Sequence, residues 1–529
     1  MNARVAVVAR GNTSRLRLWQ AAFGLLFVVA VGARLAGPGQ MLVVDERLWL
    51  SRSWDFAEAV IHLDFGGTGA NADGNGIGAH PGVATMWAAG LAMSAYYAAA
   101  QRVGAAIEPF RPEVLLSYLA IAQVSLALLN GAGLVVVFWL LRRLYEWPTA
   151  LLAFGLIAFN PLLIAHSRIV HVDAPLTTAA IVSVLALLVH VQTGRFAPLI
   201  ISGVAGGIGA LSKAPGLLLV PWAALAMAAT IGWPSPTWHS TIETLRGFGL
   251  WILAALAVYF IAWPSLWVNP VGTVSYLFER STIGVLEAHD AGAPTGTLDL
   301  MYYPRALLQF GSPVTVVLLL AGLIVGGVTA RRGRGALIGR SEWLVLLFIA
   351  LFLAMITMTA KKGERYALPI VPAIDLLAAV VAIRALDRLS INGWRPGVLT
   401  LSLAIAVVLP LRLHPYYLAY YNPLAGKPVK IGWGEGLELA AHYLNRKPNA
   451  SQLAVATWYP SVFEYFFEGR TLGLSRDTGD SADYVVLYRN MFGRPPDAEA
   501  SRMLEYFFAG EPEHTVKVNG LEYAWIYRR

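Results

Sequence analysis

The amino-acid sequence predicts a polytopic α-helical membrane protein with about eleven transmembrane helices, followed by a small extracytoplasmic α/β domain. First, 57% of the 529 residues are hydrophobic and only 14% are charged, against roughly 25% charged residues in soluble domains. Second, the apolar residues are gathered into long stretches, and third, basic residues concentrate in alternate loops. This composition excludes a soluble enzyme and a disordered chain, and the absence of cysteine excludes disulfides and thiolate metal sites.

The membrane spans are predicted from apolar length, since about 18 or more apolar residues in a helix can cross the hydrocarbon core. The predicted spans are 17–36, 114–141, 148–166, 174–192, 197–211, 214–231, 247–264, 311–330, 342–360, 366–384 and 397–413. A twelfth apolar stretch, 82–103, is ambiguous because it follows the polar, glycine-rich run 66–78.

Basic residues decide how 82–103 is assigned. With a cytoplasmic N-terminus and no crossing at 82–103, the inside loops hold 15 basic residues, and the longer outside loops before residue 414 hold 11. This bias follows the positive-inside rule, which a crossing at 82–103 would reverse in every later loop. We therefore predict an interfacial or re-entrant helix there, within an external loop 37–113. A second external loop is predicted at 265–310, and the transmembrane domain is predicted to cover 1–413.

The predicted extracytoplasmic domain, 414–529, has a different pattern, in which short helices alternate with strands. The predicted helices are 433–445, 459–468 and 498–508, and the predicted strands are 453–458, 484–488 and 523–527. Gly432-Trp433-Gly434-Glu435-Gly436 is rich in glycine but lacks the spacing of a dinucleotide or phosphate-binding loop. We predict a turn and the start of a helix there.

Ionisable side chains are costly near the membrane and often mark function. The predicted outer face collects Asp45, Glu46, His80, Arg168, His171, Asp173, Lys213, Lys361, Lys362, Arg365 and the neighbouring Tyr366. The basic residues at 213 and 361–365 break the positive-inside rule, which indicates an anionic partner such as a lipid phosphate. Each residue also has a structural alternative: a helix cap for Asp173, a solvated loop for Asp45 and Glu46, and interfacial anchoring for the lysines.

These residues lie in ordered elements that resemble the protein O-mannosyltransferase family and its bacterial relatives, the lipid A aminoarabinose transferases. The elements are Val44-Asp45-Glu46, His80-Pro81-Gly82, Asn160-Pro161, Ser167-Arg168, Val172-Asp173-Ala174-Pro175-Leu176, Leu211-Ser212-Lys213 and Arg365-Tyr366-Ala367-Leu368-Pro369. The resemblance covers about residues 15–415 and departs at Gly82, where the family commonly has a second proline. It implies a fold of the GT-C glycosyltransferase type and a sugar donor linked to polyprenyl phosphate.

The chemistry of such a donor needs few catalytic groups, because its phosphate leaving group is already stable. One carboxylate suffices to activate the acceptor hydroxyl, and lysine and arginine suffice to stabilise the phosphate. We predict that Asp45 is the general base and that the anomeric carbon inverts, with Glu46 and Asp173 orienting hydroxyls or serving as the base instead. Lys213, Lys361, Lys362 and Arg365 are predicted to hold the phosphate, and Arg168, His171 and His80 to line the pocket.

No cofactor or metal is expected, although carboxylates leave a divalent cation open. The expected partners are the polyprenyl-phosphate sugar donor, membrane lipid and an acceptor protein, lipid or glycan, without nucleic acid. The expected location is the cell inner membrane. Two other functions stay open: a transporter or flippase of lipid-linked sugars, and a non-catalytic scaffold that binds lipid phosphate.

Overall fold

Seven long apolar helices confirm the predicted helical membrane protein. The computed structural model of the chain describes residues 2–69, 80–105, 107–231, 238–279, 299–332, 337–359, 362–389, 391–428, 431–492 and 498–529. Within these ranges, the helices long and apolar enough to cross a membrane are Ser14–Leu35, Pro112–Leu144, Asp173–Thr193, Trp238–Ala262, Pro313–Arg331, Arg340–Met358 and Glu364–Arg388. The first of them belongs to a longer helix, Asn2–Leu35.

Four shorter apolar helices account for the other predicted stretches. They are Trp147–Ala158, Phe196–Ser212, Ala214–Ala228 and Arg395–Leu411. Long and short helices together coincide with the eleven apolar stretches of the sequence, and the number that cross the bilayer stays a prediction. A short helix, Pro161–His166, completes the stretch predicted at 148–166. Asn160 caps its N-terminus, because the Asn160 side chain accepts a hydrogen bond from the Leu162 N–H at 3.2 Å, and Pro161 is the first helical residue.

Other helices of this part lie between the spans, among them Glu46–Ile61, Val83–Arg102, Ser265–Val268 and Tyr302–Phe310, with the 3₁₀ helices Gly67–Gly69 and Asn392–Trp394. The 3₁₀ helices Ala214–Leu218 and Glu364–Ile370 form the first turns of Ala214–Ala228 and Glu364–Arg388. Val83–Arg102 is the helix predicted at 82–103, and it packs closely on Glu46–Ile61: a Cβ at Gly90 would lie 2.2 Å from the Ser53 carbonyl oxygen. Its interfacial position stays a prediction.

Gly82 occupies a tight corner before the helix Val83–Arg102. Its φ of +66° is the left-handed conformation that proline cannot adopt, and a Cβ there would lie 2.1 Å from the Trp49 ring. Its N–H donates to the Ser212 carbonyl at 3.2 Å. The departure from the family's second proline is therefore part of how this chain builds the corner.

A five-stranded sheet confirms the predicted α/β segment. Its strands are β1 (Ala454–Thr457), β2 (Arg470–Gly473), β3 (Tyr484–Tyr488), β4 (His514–Val518) and β5 (Leu521–Arg528), in the order β2-β1-β3-β5-β4. β1 is parallel to β2 and β3, and β5 is antiparallel to β3 and β4. The accompanying helices are Leu437–Leu444, Pro460–Phe463, Arg476–Ser481 and Ala498–Phe507, with the 3₁₀ helices Tyr417–Ala419, Ala450–Gln452 and Arg489–Phe492.

Several expectations for this segment need correction. The helix predicted at 459–468 ends at Phe463, and the strands β2 and β4 were not expected. β4 and β5 are joined by Asn519 and Gly520, both at positive φ, a two-residue turn that the Asn-Gly pair favours. The boundary between the predicted domains, at residue 414, is not tested by these elements.

The segment predicted as the start of a helix at 433 is a loop, and the helix begins only at Leu437. Gly432, Gly434 and Gly436 all have positive φ, which a helix excludes. We call residues 432–436 the glycine loop. Tyr488 accepts a hydrogen bond from the Gly434 N–H at 2.9 Å, and the Asn490 side chain donates to the Gly432 carbonyl at 2.6 Å.

Two buried carboxyl groups support the glycine loop from beneath. Glu435 accepts a hydrogen bond from the Trp433 N–H at 2.7 Å, and Glu438 accepts one from the Gly436 N–H at 3.0 Å. Burial raises the pKa of Glu435 to about 7 and that of Glu438 to about 7. The loop is therefore held by groups that resist ionisation.

Gly82→Ala is expected to lower stability more than Gly194→Ala. Both positions have positive φ, but a Cβ at Gly194 meets nothing within 4 Å, whereas one at Gly82 meets Trp49. Both variants bear a left-handed backbone cost of about 1–2 kcal/mol, and only Gly82→Ala must also displace a buried indole. The check is the thermal unfolding midpoint of the purified protein in detergent; equal midpoints would contradict the tight corner.

Glu435→Gln is expected to raise the stability of the protein, relative to wild type, more at pH 9 than at pH 5. In the wild-type protein the pKa of Glu435 is higher in the folded state than in the unfolded state, so ionisation of this carboxyl group costs the folded state free energy. This cost is absent below about pH 4.5 and reaches its full size, roughly 3 kcal/mol, above about pH 7. Glutamine can still accept the Trp433 hydrogen bond and never ionises. Thermal unfolding at both pH values measures the difference, with the exposed Glu505→Gln as control; a shift independent of pH would contradict it.

Candidate functional site

Four elements bring charged side chains together at the start of the helix Asp173–Thr193. Asp45 directly precedes the helix Glu46–Ile61, Asp173 begins its own helix, and Lys213 directly follows Phe196–Ser212. Arg365 lies in the 3₁₀ helix Glu364–Ile370, which packs against Asp173–Thr193. Charged side chains from four separate parts of the chain therefore meet at one end of the helix bundle.

The deepest part of the site is an ion pair. The Lys213 ammonium donates to Oδ1 of Asp173 at 2.7 Å, and both side chains are almost completely buried. Oδ2 of Asp173 lies 3.1 Å from Nδ1 of His171 and 4.0 Å from Nε of Arg365. One buried carboxylate thus faces three nitrogen-bearing side chains, which keeps it ionised and holds it in place.

His171 joins the two carboxylates of the site. Its Nε2 lies 3.7 Å from Oδ2 of Asp45, on the opposite side of the ring from Asp173. Burial lowers the pKa of His171, against the opposite effect of the Asp173 charge. A neutral ring with its proton on Nδ1, facing Asp173, fits this arrangement.

Asp45 forms the open part of the site. Its side chain is 35% exposed, whereas that of Asp173 is 3% exposed. Arg365 donates to Oδ2 of Asp45 at 3.0 Å, and the contact with His171 uses the same oxygen. Among the described residues, Oδ1 of Asp45 takes no hydrogen bond, so this oxygen is available to a further donor.

Glu46 points the other way from its neighbour. Its side chain is fully buried and accepts hydrogen bonds from the Val43 N–H at 2.9 Å, the Gln123 side chain at 2.9 Å and the Val170 N–H at 2.8 Å. Burial raises its pKa to about 7. Glu46 therefore ties the loop before its helix to two other segments, and the prediction that it orients substrate hydroxyls is untested.

Aromatic rings cover the cations of the site. The Lys213 ammonium lies 4.9 Å from the centre of the Tyr366 ring, and the Arg365 guanidinium lies 4.4 Å from that of Trp433. Trp433 belongs to the glycine loop and also approaches His171, with ring centres 5.1 Å apart. The sequence reasoning missed Trp433; the run of three alternating glycines around it was the available signal.

The other predicted site residues lie around this cluster. Arg168 is buried, donates to the Ala36 carbonyl and to that of Pro415 at 3.2 Å, and lies over Tyr417. Lys362 donates to the carbonyls of Thr357 and Ile356, and its ammonium lies 5.6 Å from the Tyr303 ring centre.

The predictions for His80 and Lys361 stay untested. His80 comes two residues before Gly82, whose N–H binds Ser212 beside Lys213. Lys361 lies outside the described residues. Among the residues that the structure describes, no group of three or more His, Cys, Asp or Glu side chains is arranged to hold a metal ion, and metal independence stays a prediction.

Lys213→Met is expected to destabilise the protein strongly, because it leaves Asp173 buried with its principal counter-ion removed. Breaking a buried pair by removing one partner typically costs about 3–5 kcal/mol. The double variant Lys213→Met with Asp173→Asn is expected to recover at least half of the loss. Unfolding midpoints in detergent measure both, with the half-buried Lys362→Met as control; an undiminished loss in the double variant would contradict this.

Comparisons with known proteins agree with this architecture. Residues 117–264 match the family described as dolichyl-phosphate-mannose-protein mannosyltransferase, and no curated relative matches the chain. The crystal structure of ArnT from Cupriavidus metallidurans in the apo state is 12% identical, with a TM-score of 0.50 over 98% of both chains. The crystal structure of the same protein bound to undecaprenyl phosphate is also 12% identical, with a TM-score of 0.50. The match covers 97% of this chain and 98% of that one.

The oligosaccharyltransferase AglB from Archaeoglobus fulgidus, in complex with an inhibitory peptide and a dolichol-phosphate, is 13% identical with a TM-score of 0.48. It is matched over 93% of this chain and 72% of its own. The likeness to ArnT, at this identity, concerns the fold. The resemblance read from the sequence is confirmed: this chain is a multi-pass membrane protein with the GT-C glycosyltransferase fold, similar to the mannosyltransferase family model over residues 117–264 and to ArnT in structure.

Proposed function

We propose that this protein transfers a sugar from a polyprenyl-phosphate-linked donor to an acceptor hydroxyl, with inversion at the anomeric carbon and Asp45 as the general base. One observation carries the proposal: of the three predicted carboxylates, Asp45 is the only one with a substantially exposed side chain, at 35% against 3% for Asp173 and complete burial for Glu46. A base must reach the proton that it removes.

The reaction needs only the groups that this cluster offers. The acceptor oxygen attacks the anomeric carbon, its proton passes to Oδ1 of Asp45, and the bond between that carbon and the phosphate oxygen breaks. The polyprenyl phosphate leaves with the electron pair. Arg365, held on Oδ2 of the same carboxylate at 3.0 Å, is placed to stabilise the charge that develops on the phosphate oxygens.

Asp173, Lys213 and His171 support this chemistry from behind. Asp173 lies 2.7 Å from the Lys213 ammonium and 3.1 Å from Nδ1 of His171 and is almost fully buried, which favours a role in orienting His171 and Arg365 over a role as base. The predicted phosphate-binding role of Lys213 is supported less well, because its ammonium is buried against Asp173 at 2.7 Å.

Charge balance favours a further cation at the phosphate, beside Arg365. Two carboxylates, Asp45 and Asp173, balance two cations, Lys213 and Arg365, so the inner cluster is neutral when His171 is neutral. A bound phosphate therefore needs further positive charge, and Lys362, which lies over Tyr303, is the described cation that we assign to it. Lys361 is adjacent in sequence.

An apolar cavity of about 220 Å³ offers a place for the lipid chain. The helix Tyr302–Phe310, which begins at the residues under Lys362, contributes Pro304, Leu307 and Phe310 to its wall. Glu364, next to Arg365, lies at the same cavity. ArnT, which has the same fold, has been solved with undecaprenyl phosphate bound. These features support a polyprenyl phosphate as the donor's carrier.

We propose that the reaction takes place at the outer face of the cytoplasmic membrane. Basic residues concentrate in the loops on the opposite side, and the C-terminal sheet domain then shares the outer side with the site. The acceptor is a hydroxyl of a protein, lipid or glycan, and neither a metal nor a cofactor is required by the chemistry.

Asp45→Asn is expected to lower kcat about 10²- to 10⁴-fold, the usual effect of removing a general base, while the protein stays folded and still binds undecaprenyl phosphate. The measurement uses purified protein, a panel of polyprenyl-phosphate sugars and candidate acceptors, and follows donor consumption. The matched control is Glu58→Gln on the same helix, where the carboxylate pairs with His62 away from the site.

Three outcomes would change the proposal. Equal consumption by wild type and Asp45→Asn would move the base to Asp173 or Glu46. Loss of activity in Glu58→Gln as well would show that the helix, and not the carboxylate at its start, is what the reaction requires. No consumption of any donor by the folded wild-type protein would overturn sugar transfer itself.

A further inference from the structure

We infer that Trp433 is a positioning residue, whose indole holds the Arg365 guanidinium against Asp45 and so makes the C-terminal domain part of the transfer site. The inference rests on the proposed transfer reaction, which supplies the role of Arg365 and Asp45. Trp433, which lies outside the predicted site, keeps the flexible Arg365 side chain where its guanidinium can bind both Asp45, the proposed base, and the leaving phosphate.

The contacts of the indole are with the reactive cluster. Its ring centre lies 4.4 Å from the Arg365 guanidinium, a distance at which a cation is attracted to an aromatic face. The ring also lies 5.1 Å from that of His171, nearly perpendicular to it, and 5.9 Å from that of His166. Trp433 thus touches two of the groups that contact Asp45.

Arg365 has reason to need such a support. Its side chain is 23% exposed and is held by Asp45 at 3.0 Å, with Asp173 farther away at 4.0 Å. An arginine has many rotamers, and ordering it costs conformational entropy unless packing restricts it. The Trp433 ring, 4.4 Å away, restricts the guanidinium on one side and leaves N–H groups free to bind carboxylate and phosphate oxygens.

The main chain of the glycine loop is fixed from both sides. The Val44 N–H, next to Asp45, donates to the Trp433 carbonyl at 2.9 Å. Gly434 comes so close to the same segment that a Cβ would lie 2.7 Å from the Leu42 carbonyl oxygen. On the other side, the Tyr488 hydroxyl binds the Gly434 N–H and the Glu435 carbonyl. The position of the indole is therefore set by the folded sheet domain.

Side-chain substitutions at Trp433 test the inference without removing these main-chain contacts. Trp433→Leu is expected to lower kcat about 30- to 100-fold with the KM for the donor changed less than about 3-fold, because the transition state loses a positioned cation. Trp433→Phe keeps an aromatic face and is expected to stay within about 5-fold of wild type. Trp458→Leu, which removes another half-buried indole of the same domain, is the control.

A double-variant cycle with Arg365→Lys separates positioning from structural support. If Trp433 acts through the guanidinium, Trp433→Leu has little further effect on kcat in the Arg365→Lys background. Multiplicative losses would overturn the inference, as would a raised KM with an unchanged kcat, which would make the indole a wall of the substrate pocket. A loss with Trp433→Phe as large as with Trp433→Leu would do the same.

One measurement does not depend on transfer. The chain has no cysteine, so His171→Cys introduces a single thiol beneath the indole. Labelling by a membrane-impermeant maleimide is expected to be at least 10-fold faster when Trp433→Leu is added, and unchanged by Trp458→Leu. An unchanged labelling rate with Trp433→Leu would overturn the placement of the indole, even if the wild-type protein proves active. Faster labelling, together with no sugar transfer by the wild-type protein, would retain the placement and reject the proposed function.

Discussion

The buried ion pair between Asp173 and Lys213 is the constraint on which the site depends. Neither charge can be taken out of water without the other, and at 2.7 Å they join the start of one helix to the end of another. Asp173 then attracts His171 and Arg365 on its second oxygen. Because Arg365 and His171 both reach Asp45, the position of the exposed carboxylate follows from the buried one.

Asp45 and Glu46 are adjacent in sequence and have opposite environments. Glu46 is enclosed by three hydrogen-bond donors from the loop before it, from Gln123 and from Val170. Those bonds fix the backbone where the helix Glu46–Ile61 begins, so Asp45 is presented toward Arg365 instead of rotating with a mobile loop. An acidic pair can therefore supply a structural anchor and a reactive group within two residues, which explains why the sequence alone leaves the identity of the base open.

Hydropathy was enough to predict the apolar helices, and the ordered polar elements were enough to predict Asp45, His171, Asp173, Lys213 and Arg365 as neighbours. These patterns depend on properties of single residues, namely apolar length and the cost of charge near a membrane. They could not predict partners: Arg168 is directed to the carbonyls of Ala36 and Pro415. They also could not predict that the glycine loop lies on the site, because its three glycines indicate only an unusual backbone. The hydrogen bond that ties the loop to the site, from the Val44 N–H to the Trp433 carbonyl, joins residues nearly 400 positions apart.

The C-terminal domain and the membrane part share one hydrophobic core beside the site. Buried Trp49 and Val170 belong to the same packed cluster as Leu437 and Tyr488 of the sheet domain. A domain that only recruited an acceptor would need no such continuity and could be joined by a mobile linker. Here the loop that packs on Arg365 is bonded to the sheet through Tyr488 and to the segment before Asp45 through Val44. Folding of the sheet and assembly of the charged cluster are therefore coupled through the glycine loop, whose indole packs on Arg365.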